Sequence, residues 1–237
     1  MIYGLMIVGE GEAKRYLEPC LDRALRWADE LHVAFEPDAG NNERILVSQF
    51  TNNMSNLRCS ADENEGMAKN HAWDSMVYSL RPNTGDSIGV IKPTEVVLNP
   101  DALRKTVKSH PDMALNVTIN HLWDNEAIRI DGSWAPHNEI FIVPWRAGAT
   151  YPDYRLRVGR LPTYHFTQHA LDEPVSDVLD YDMLTLKDKI RKWEWFDKVG
   201  AGDFFSIDHI QSIKRNPTLR RWQKGGVLHV GQRENVG

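Results

Sequence analysis

An α/β, Rossmann-like sandwich on a mixed, mostly parallel sheet, with a C-terminal helical extension, is the fold this chain predicts, and three observations predict it. Short apolar runs alternate with helical-period segments through the first hundred residues, at a spacing suited to βαβ units. The chain has 237 residues, 41% hydrophobic and 26% charged, enough for one large domain with a buried core and an appended tail. Near the C-terminus, Leu186, Ile190, Trp193 and Phe196 recur on one face of an amphipathic helical pattern.

Residues 2–8 are a short apolar run suited to a buried parallel strand. Leu17, Leu21, Ala24, Leu25 and Ala28 then recur at helical spacing, with Pro19 near the first turn, where its missing N–H is harmless. Residues 31–35 predict a second strand, 43–50 a second helix, 57–59 a third strand, 67–80 a third helix and 87–91 a fourth strand. Ligands of such sheets bind at the carboxyl ends of the strands, so residues 1–99 are read as a nucleotide-binding half. Beyond Asn99-Pro100, residues 102–109 predict a helix, and 113–120 and 139–143 predict strands, within a second half spanning 100–180. Residues 145–180 are rich in Pro, Tyr, Arg and His with little periodicity, and loops of that length are more often functional than idle. Residues 181–237 form the extension, with helices over 184–199 and 204–213 and a mobile tail over the last dozen residues.

Composition narrows the function. A net charge of -5 and a pI near 6.0 argue against a protein that coats nucleic acid. Cys20 and Cys59 are too few for a disulfide framework and lack metal-ligand spacing, so both are read as small buried apolar residues in a reducing compartment. The N-terminal apolar run is short and has no basic lead-in, and no run reaches membrane-spanning length. The expectation is a cytoplasmic protein with no membrane partner.

The most specific motif is Asn64-Glu65-Gly66-Met67-Ala68-Lys69-Asn70, followed by Gly85-Asp86 and then by Val90-Ile91-Lys92-Pro93-Thr94-Glu95. Together they resemble the donor-site half of a family 2 glycosyltransferase, which implies the type-A glycosyltransferase fold. In that family a strand ends in an Asp-x-Asp motif that holds a divalent ion on the diphosphate of a nucleotide sugar. Here Lys92 stands at the first metal Asp, and the matching stretch ends in Glu95. After the second strand, Glu36 matches the acid that reads the base, and Asn41 replaces the acid near the ribose, whose hydroxyls an amide still bonds. Asn64, Gly66, Ala68 and Asn70 match the family's Asn-x-Gly-x-Ala-x-Asn, and Lys69 stands where Arg is usual, available to a phosphate.

Leu122-Trp123-Asp124, residues 128–134, Gly159-Arg160-Leu161-Pro162, Asp180-Tyr181-Asp182, Trp193-Glu194-Trp195-Phe196 and His209-Ile210-Gln211-Ser212-Ile213 resemble a bacteriophage branch of the family, on its acceptor side and tail. In that branch a His-Tyr-Gly fills the place of Asp180-Tyr181-Asp182, and a late His is often the third metal ligand. Two elements of the metal site therefore depart together. No cofactor is expected, because the usual ligands of Mn or Mg are missing.

The resemblance implies transfer of a sugar from a nucleoside diphosphate donor, here without a metal. Lys92, with Lys69 or Arg160, would stabilise the diphosphate, and Asp124, Asp131 or Glu139 would act as base for the acceptor hydroxyl. The donor set is Glu36, Asn41, Asn64, Gly66, Lys69, Asn70, Lys92, Glu95 and Arg160. The acceptor is open, with a virion protein or a modified nucleic acid among its classes. The alternative is a catalytically inactive relative serving as a binding or assembly module.

Each feature also has a bland reading. Lys92 can be a solvated strand-end residue, Asn64 an ordinary helix cap, and each acid a structural one. Trp123, Trp134 and Trp145 are core candidates that also suit sugar stacking, while His137, His165 and His169 fall in loop-like sequence. Gly85-Asp86-Ser87-Ile88-Gly89 matches the hydrolase Gly-x-Ser-x-Gly pattern, but the flanking sequence makes Ser87 a strand start rather than a nucleophile elbow. Lys214, Arg215, Arg220, Arg221 and Lys224 form a basic stretch, read as a solvated face or as a docking surface for an acidic acceptor.

Overall fold

Alternate residues of β1 (Ile2–Val8) bury on opposite faces: Ile2, Met6 and Val8 pack toward one helical layer, Tyr3 and Leu5 toward the other. A strand apolar on both faces belongs in the middle of a sandwich. The computed structural model describes residues 1–12, 15–124, 127–156, 158–163, 169–200, 211–214 and 217–221. After β1 come α1 (Leu17–Trp27), β2 (Glu30–Phe35), α2 (Asn41–Ser48), β3 (Met54–Asn56), α3 (Ala61–Leu80), β4 (Ser87–Val90) and β5 (Glu95–Val97). The chain continues through α4 (Pro100–Ser109), β6 (Leu115–His121), β7 (Ala127–Arg129), β8 (His137–Pro144), β9 (Ser176–Asp180), α5 (Leu186–Lys198) and β10 (Leu219–Arg221).

The fold is a Rossmann-like α/β sandwich. Eight strands form one sheet in the order β3-β2-β1-β4-β8-β6-β9-β5, and β10 pairs with β7 in a separate ribbon. Within the large sheet β8 and β5 alone run against the others, so the sheet is mixed and mostly parallel. The β4–β8 and β5–β9 pairs join residues 1–99 to residues 100–180 edge to edge. One layer packs α1 and α4 on the sheet through Leu17, Leu21, Trp27, Leu103 and Val107; the other packs α3 through Ala68, Ala72, Trp73 and Met76. Gly4 and Gly89 face each other across β1 and β4, and a Cβ on Gly89 would meet the Trp27 ring at 2.8 Å, so this pair makes room for the indole.

The structure corrects two sequence expectations. The third strand lies at Met54–Asn56, not 57–59: Leu57 and Cys59 supply the apolar signal, but the ladder forms on the more exposed residues before them, and only the Leu57 N–H reaches back to Phe35. The third helix begins at Ala61 because Ser60 and Glu63 make a reciprocal capping box. It breaks at Asn64 (φ −156°, ψ 103°), whose side chain caps the second stretch through the Met67 N–H. Sequence reading also missed β5, β7, β9 and β10. The expected helix at 204–213 lies mostly outside the described residues.

Candidate functional site

The parallel strands deliver their last residues to one edge of the sheet. Glu36 follows β2, Lys92 follows β4, His121 ends β6 and Asp180 ends β9. The two antiparallel strands begin at the same edge, which adds Glu95 from β5 and His137 and Glu139 from β8. Arg160 reaches this cluster from the long segment after β8.

Glu95 is fully buried and takes a two-pronged bond from Arg160, at 2.6 and 2.7 Å. Arg160 also donates to Glu139 at 2.9 Å and to the Val90 carbonyl at 2.9 Å. The Lys92 ammonium lies 3.3 Å from Glu95 and 3.5 Å from Asp180, while its side chain stays 56% exposed. Asp180, also buried, accepts bonds from the Thr94 hydroxyl and the Asp182 N–H, both at 3.0 Å. Its other oxygen lies 3.3 Å from His121 Nδ1.

Opposite charge dominates the titration of this cluster. Burial opposes ionisation of Glu139, but Arg160 outweighs it and holds the carboxyl down at about 2. Burial likewise opposes charge on Asp180, and Lys92 with His121 keeps it well below the usual carboxylate range. Burial works against the Lys92 cation too, yet Glu95 and Asp180 raise its pKa.

The Asn64–Asn70 run lies along a strap made by the segment from Tyr151 to Arg160. Asn64 donates to Asp153, the Glu65 and Gly66 N–H groups donate to the Arg155 and Tyr154 carbonyls, and Asn70 bonds both the N–H and the carbonyl of Tyr151. A Cβ on Gly66 would sit 2.2 Å from the Pro152 carbonyl, so the close approach that requires glycine here is to the strap. Lys69 donates to Glu65 at 2.7 Å and to the carbonyls of Val158 and Gly159. Burial lowers its pKa, and Glu65 partly offsets this. The strap ends at Arg160, whose carbonyl accepts the Tyr151 hydroxyl. These residues therefore position Arg160, and Lys69 is engaged with protein groups.

Glu36 accepts the Ala61 N–H at 2.7 Å, and its second oxygen lies where a Cβ on Gly9 would fall, at 2.6 Å. Burial raises its pKa against the pull of that N–H. Asn41 opens α2 and is exposed. Asp131 is turned to Arg129 at 2.7 Å, and that hydrogen bond lowers its pKa. Asp124 is exposed in the β6–β7 turn, where its charge acts on Lys189 of α5. The structure thus brings together Lys92, Glu95, Arg160 and Glu139, and places Asp124 and Asp131 apart from that set.

Trp123 and Trp134 are buried, and Trp145 packs partly buried on Trp73. His137 is exposed at the start of β8, and His169 is exposed; His165 lies outside the described residues. Ser87 is buried at the start of β4, the end of that strand opposite Lys92, and no helix follows. Lys214 lies over the Trp193 ring at 3.5 Å, Arg220 and Arg221 are exposed on β10, and Arg215 and Lys224 lie outside the described residues.

Among solved structures, the chain is similar to Staphylococcus aureus (S. aureus) TarS 1-349 in complex with UDP-GlcNAc, at 11% identity and TM-score 0.45, over 90% of this chain and 70% of that one. It is similar to S. aureus TarS at 12% identity and TM-score 0.43, over 90% of this chain and 42% of that one. A third is mannose-6-phosphate isomerase from Helicobacter pylori, at 14% identity and TM-score 0.34, over 56% of each chain. The chain therefore spans about half the length of the isomerase and of the longer TarS structure. No protein-family model and no curated protein matches it.

The Lys92 ammonium stands between Glu95 and Asp180, and among the described residues no group of three or more His, Cys, Asp or Glu is arranged to hold a metal. No described helix is long and apolar enough to cross a membrane. Sequence reading missed His121 and Thr94. Their signal was positional: His121 ends a parallel strand, and Thr94 sits in the turn after another.

Proposed function

We propose that this chain binds a nucleoside diphosphate sugar at the carboxyl edge of its sheet and transfers the sugar to a hydroxyl acceptor, with Lys92 in place of a metal ion. The observation that supports it is the Lys92 ammonium, 3.3 and 3.5 Å from two buried carboxylates in the turn after β4, with half of its side chain open to solvent. The resemblance of the Asn64–Asn70 run supplies the reaction class. Negative charge grows on the diphosphate as its bond to the sugar breaks, and a preorganised cation at that point stabilises the transition state. Arg160 holds Glu95 and Glu139, leaving Lys92 as the cluster's exposed cation.

One observation favours a second reading, a noncatalytic binding module. Glu95, Glu139 and Asp180 outnumber Lys92 and Arg160, so a diphosphate enters a site already one charge negative and must draw Lys92 off a carboxylate. Calorimetry against UDP, GDP, CDP, dTDP and their sugars, with EDTA and with manganese, separates the two. Binding that persists in EDTA and weakens in Lys92→Ala is the expected result. Absence of binding under both conditions selects the noncatalytic module.

A further inference from the structure

Two of the carboxylates expected to serve as base are each held by an arginine. Glu139 is bound to Arg160 and held at about 2, and Asp131 is bound to Arg129. A weakly basic carboxylate is an inefficient general base. His121 is different. It ends β6 in register with Asp180 of the parallel neighbour β9, and its Nδ1 lies 3.3 Å from Asp180 Oδ2. Asp180 is itself fixed by Thr94 and Asp182 on its other oxygen. The imidazole is stacked on His137 at 5.7 Å and packed edge-on against Trp134 at 5.3 Å, so the ring plane is set from two sides. At 3.3 Å the Nδ1–Asp180 pair is a close electrostatic contact rather than a formed hydrogen bond, and the side chain keeps 9% of its surface open.

We infer that His121, oriented by Asp180, accepts the proton of the acceptor hydroxyl. The assignment rests on the glycosyl-transfer reading and adds the base to it. A carboxylate 3.3 Å from Nδ1 favours the tautomer that carries its proton on the Asp180 side, which leaves the Nε2 lone pair for the acceptor proton. As the acceptor oxygen bonds to the anomeric carbon, the bond from that carbon to the diphosphate breaks and its electron pair leaves with the diphosphate. The hydroxyl proton passes to Nε2, and Asp180 stabilises the imidazolium. Lys92 lies 3.5 Å from the same Asp180 oxygen, so one carboxylate links the proton acceptor to the cation facing the leaving group. The titratable and charged groups around the ring are Asp180 on β9, Lys92 beyond it, and His137 and Glu139 on β8; Arg129 on β7 is turned to Asp131 and the Ser212 carbonyl.

Two measurements on the full chain test this. Long-range nitrogen-15 NMR reads the tautomer: neutral His121 is expected as Nδ1–H, with the preference lost in Asp180→Asn. Release of nucleoside diphosphate from the donor sugars, with water as acceptor, reads the chemistry. His121→Gln is expected to lower kcat about 100-fold or more, with donor KM little changed and the acid limb of the kcat–pH profile lost. Asp180→Asn is expected to lower kcat in the same sense, which guards against misfolding of one variant. A neutral Nε2–H tautomer in the wild-type chain, or wild-type turnover in a folded His121→Gln variant, overturns the assignment and leaves the glycosyl-transfer reading standing. Absence of turnover in the wild-type chain with every donor overturns that reading, and the base role with it.

Discussion

Glu95 is fully buried between two cations, and removing one of them shows what the cluster contributes. Arg160→Met leaves Glu95 with Lys92 alone, and breaking a buried pair from one side is expected to cost about 3–5 kcal/mol. Adding Glu95→Gln removes the stranded charge, so the double variant is expected to recover much of that loss in urea unfolding; additive losses would refute the coupling. His32 gives the pH dependence. It is buried, with Nε2 on the Ser55 hydroxyl, Nδ1 without a partner, and its pKa lowered by burial from 6.5 to about 4. The folded state holds it neutral, so its stabilisation is complete above pH 6.5 and is lost as pH falls toward 4, by up to about 3 kcal/mol. His32→Leu is expected to flatten thermal stability across that window, and an unchanged slope would exclude His32 as its source. The strand-end positions of Glu36 and Lys92 were legible because each follows an apolar run. The His121–Asp180 pair was not, since it is made by the pairing of β6 with β9 and leaves no spacing in the chain.

At the scale of elements, the strap from Tyr151 to Arg160 depends on α3, because its described residues make no ladder bonds and borrow donors from Glu65, Gly66, Lys69 and Asn70. Gly66→Ala puts a methyl 2.2 Å from the Pro152 carbonyl, where backbone must move. The expected cost is about 1–3 kcal/mol, with faster amide exchange over 151–160 and a weakened Arg160–Glu95 bond. Exchange that rises uniformly, rather than over the strap, would refute the link. The helices were legible where apolar residues recur at 3.6, as in α1, and where caps are explicit, as at Asn99-Pro100 before α4. The motif at Asn64–Asn70 was legible as a motif, but its contacts were not: whether a helix entry faces a phosphate or a strap depends on where residues 151–160 run. β5 and β7 have three residues each, too few for a period to register, and β9 emerges from aperiodic sequence.

Taken as a whole, the sheet sets its late strands β8, β6 and β9 between β4 and β5 of the early sequence, and this decides how the molecule must unfold. β4 has β1 on one side and β8 on the other, while β5 has β9 as its partner in the sheet. The core under α1 includes Phe141, Ile142, Val178 and Leu179, none of which lies in the first ninety-nine residues. A fragment of residues 1–99 would therefore expose the β4 edge, leave β5 unpaired and open the floor beneath Trp27, which packs edge-on against Phe141. An unpaired apolar edge invites aggregation, and the lost burial removes the term that offsets chain entropy. The fragment is expected to give a collapsed nitrogen-15 spectrum with no cooperative thermal transition, whereas the full chain unfolds in one transition. A dispersed spectrum from residues 1–99 would mean that the first half folds by itself and that the later strands add only the charged edge at Asp180 and Glu139.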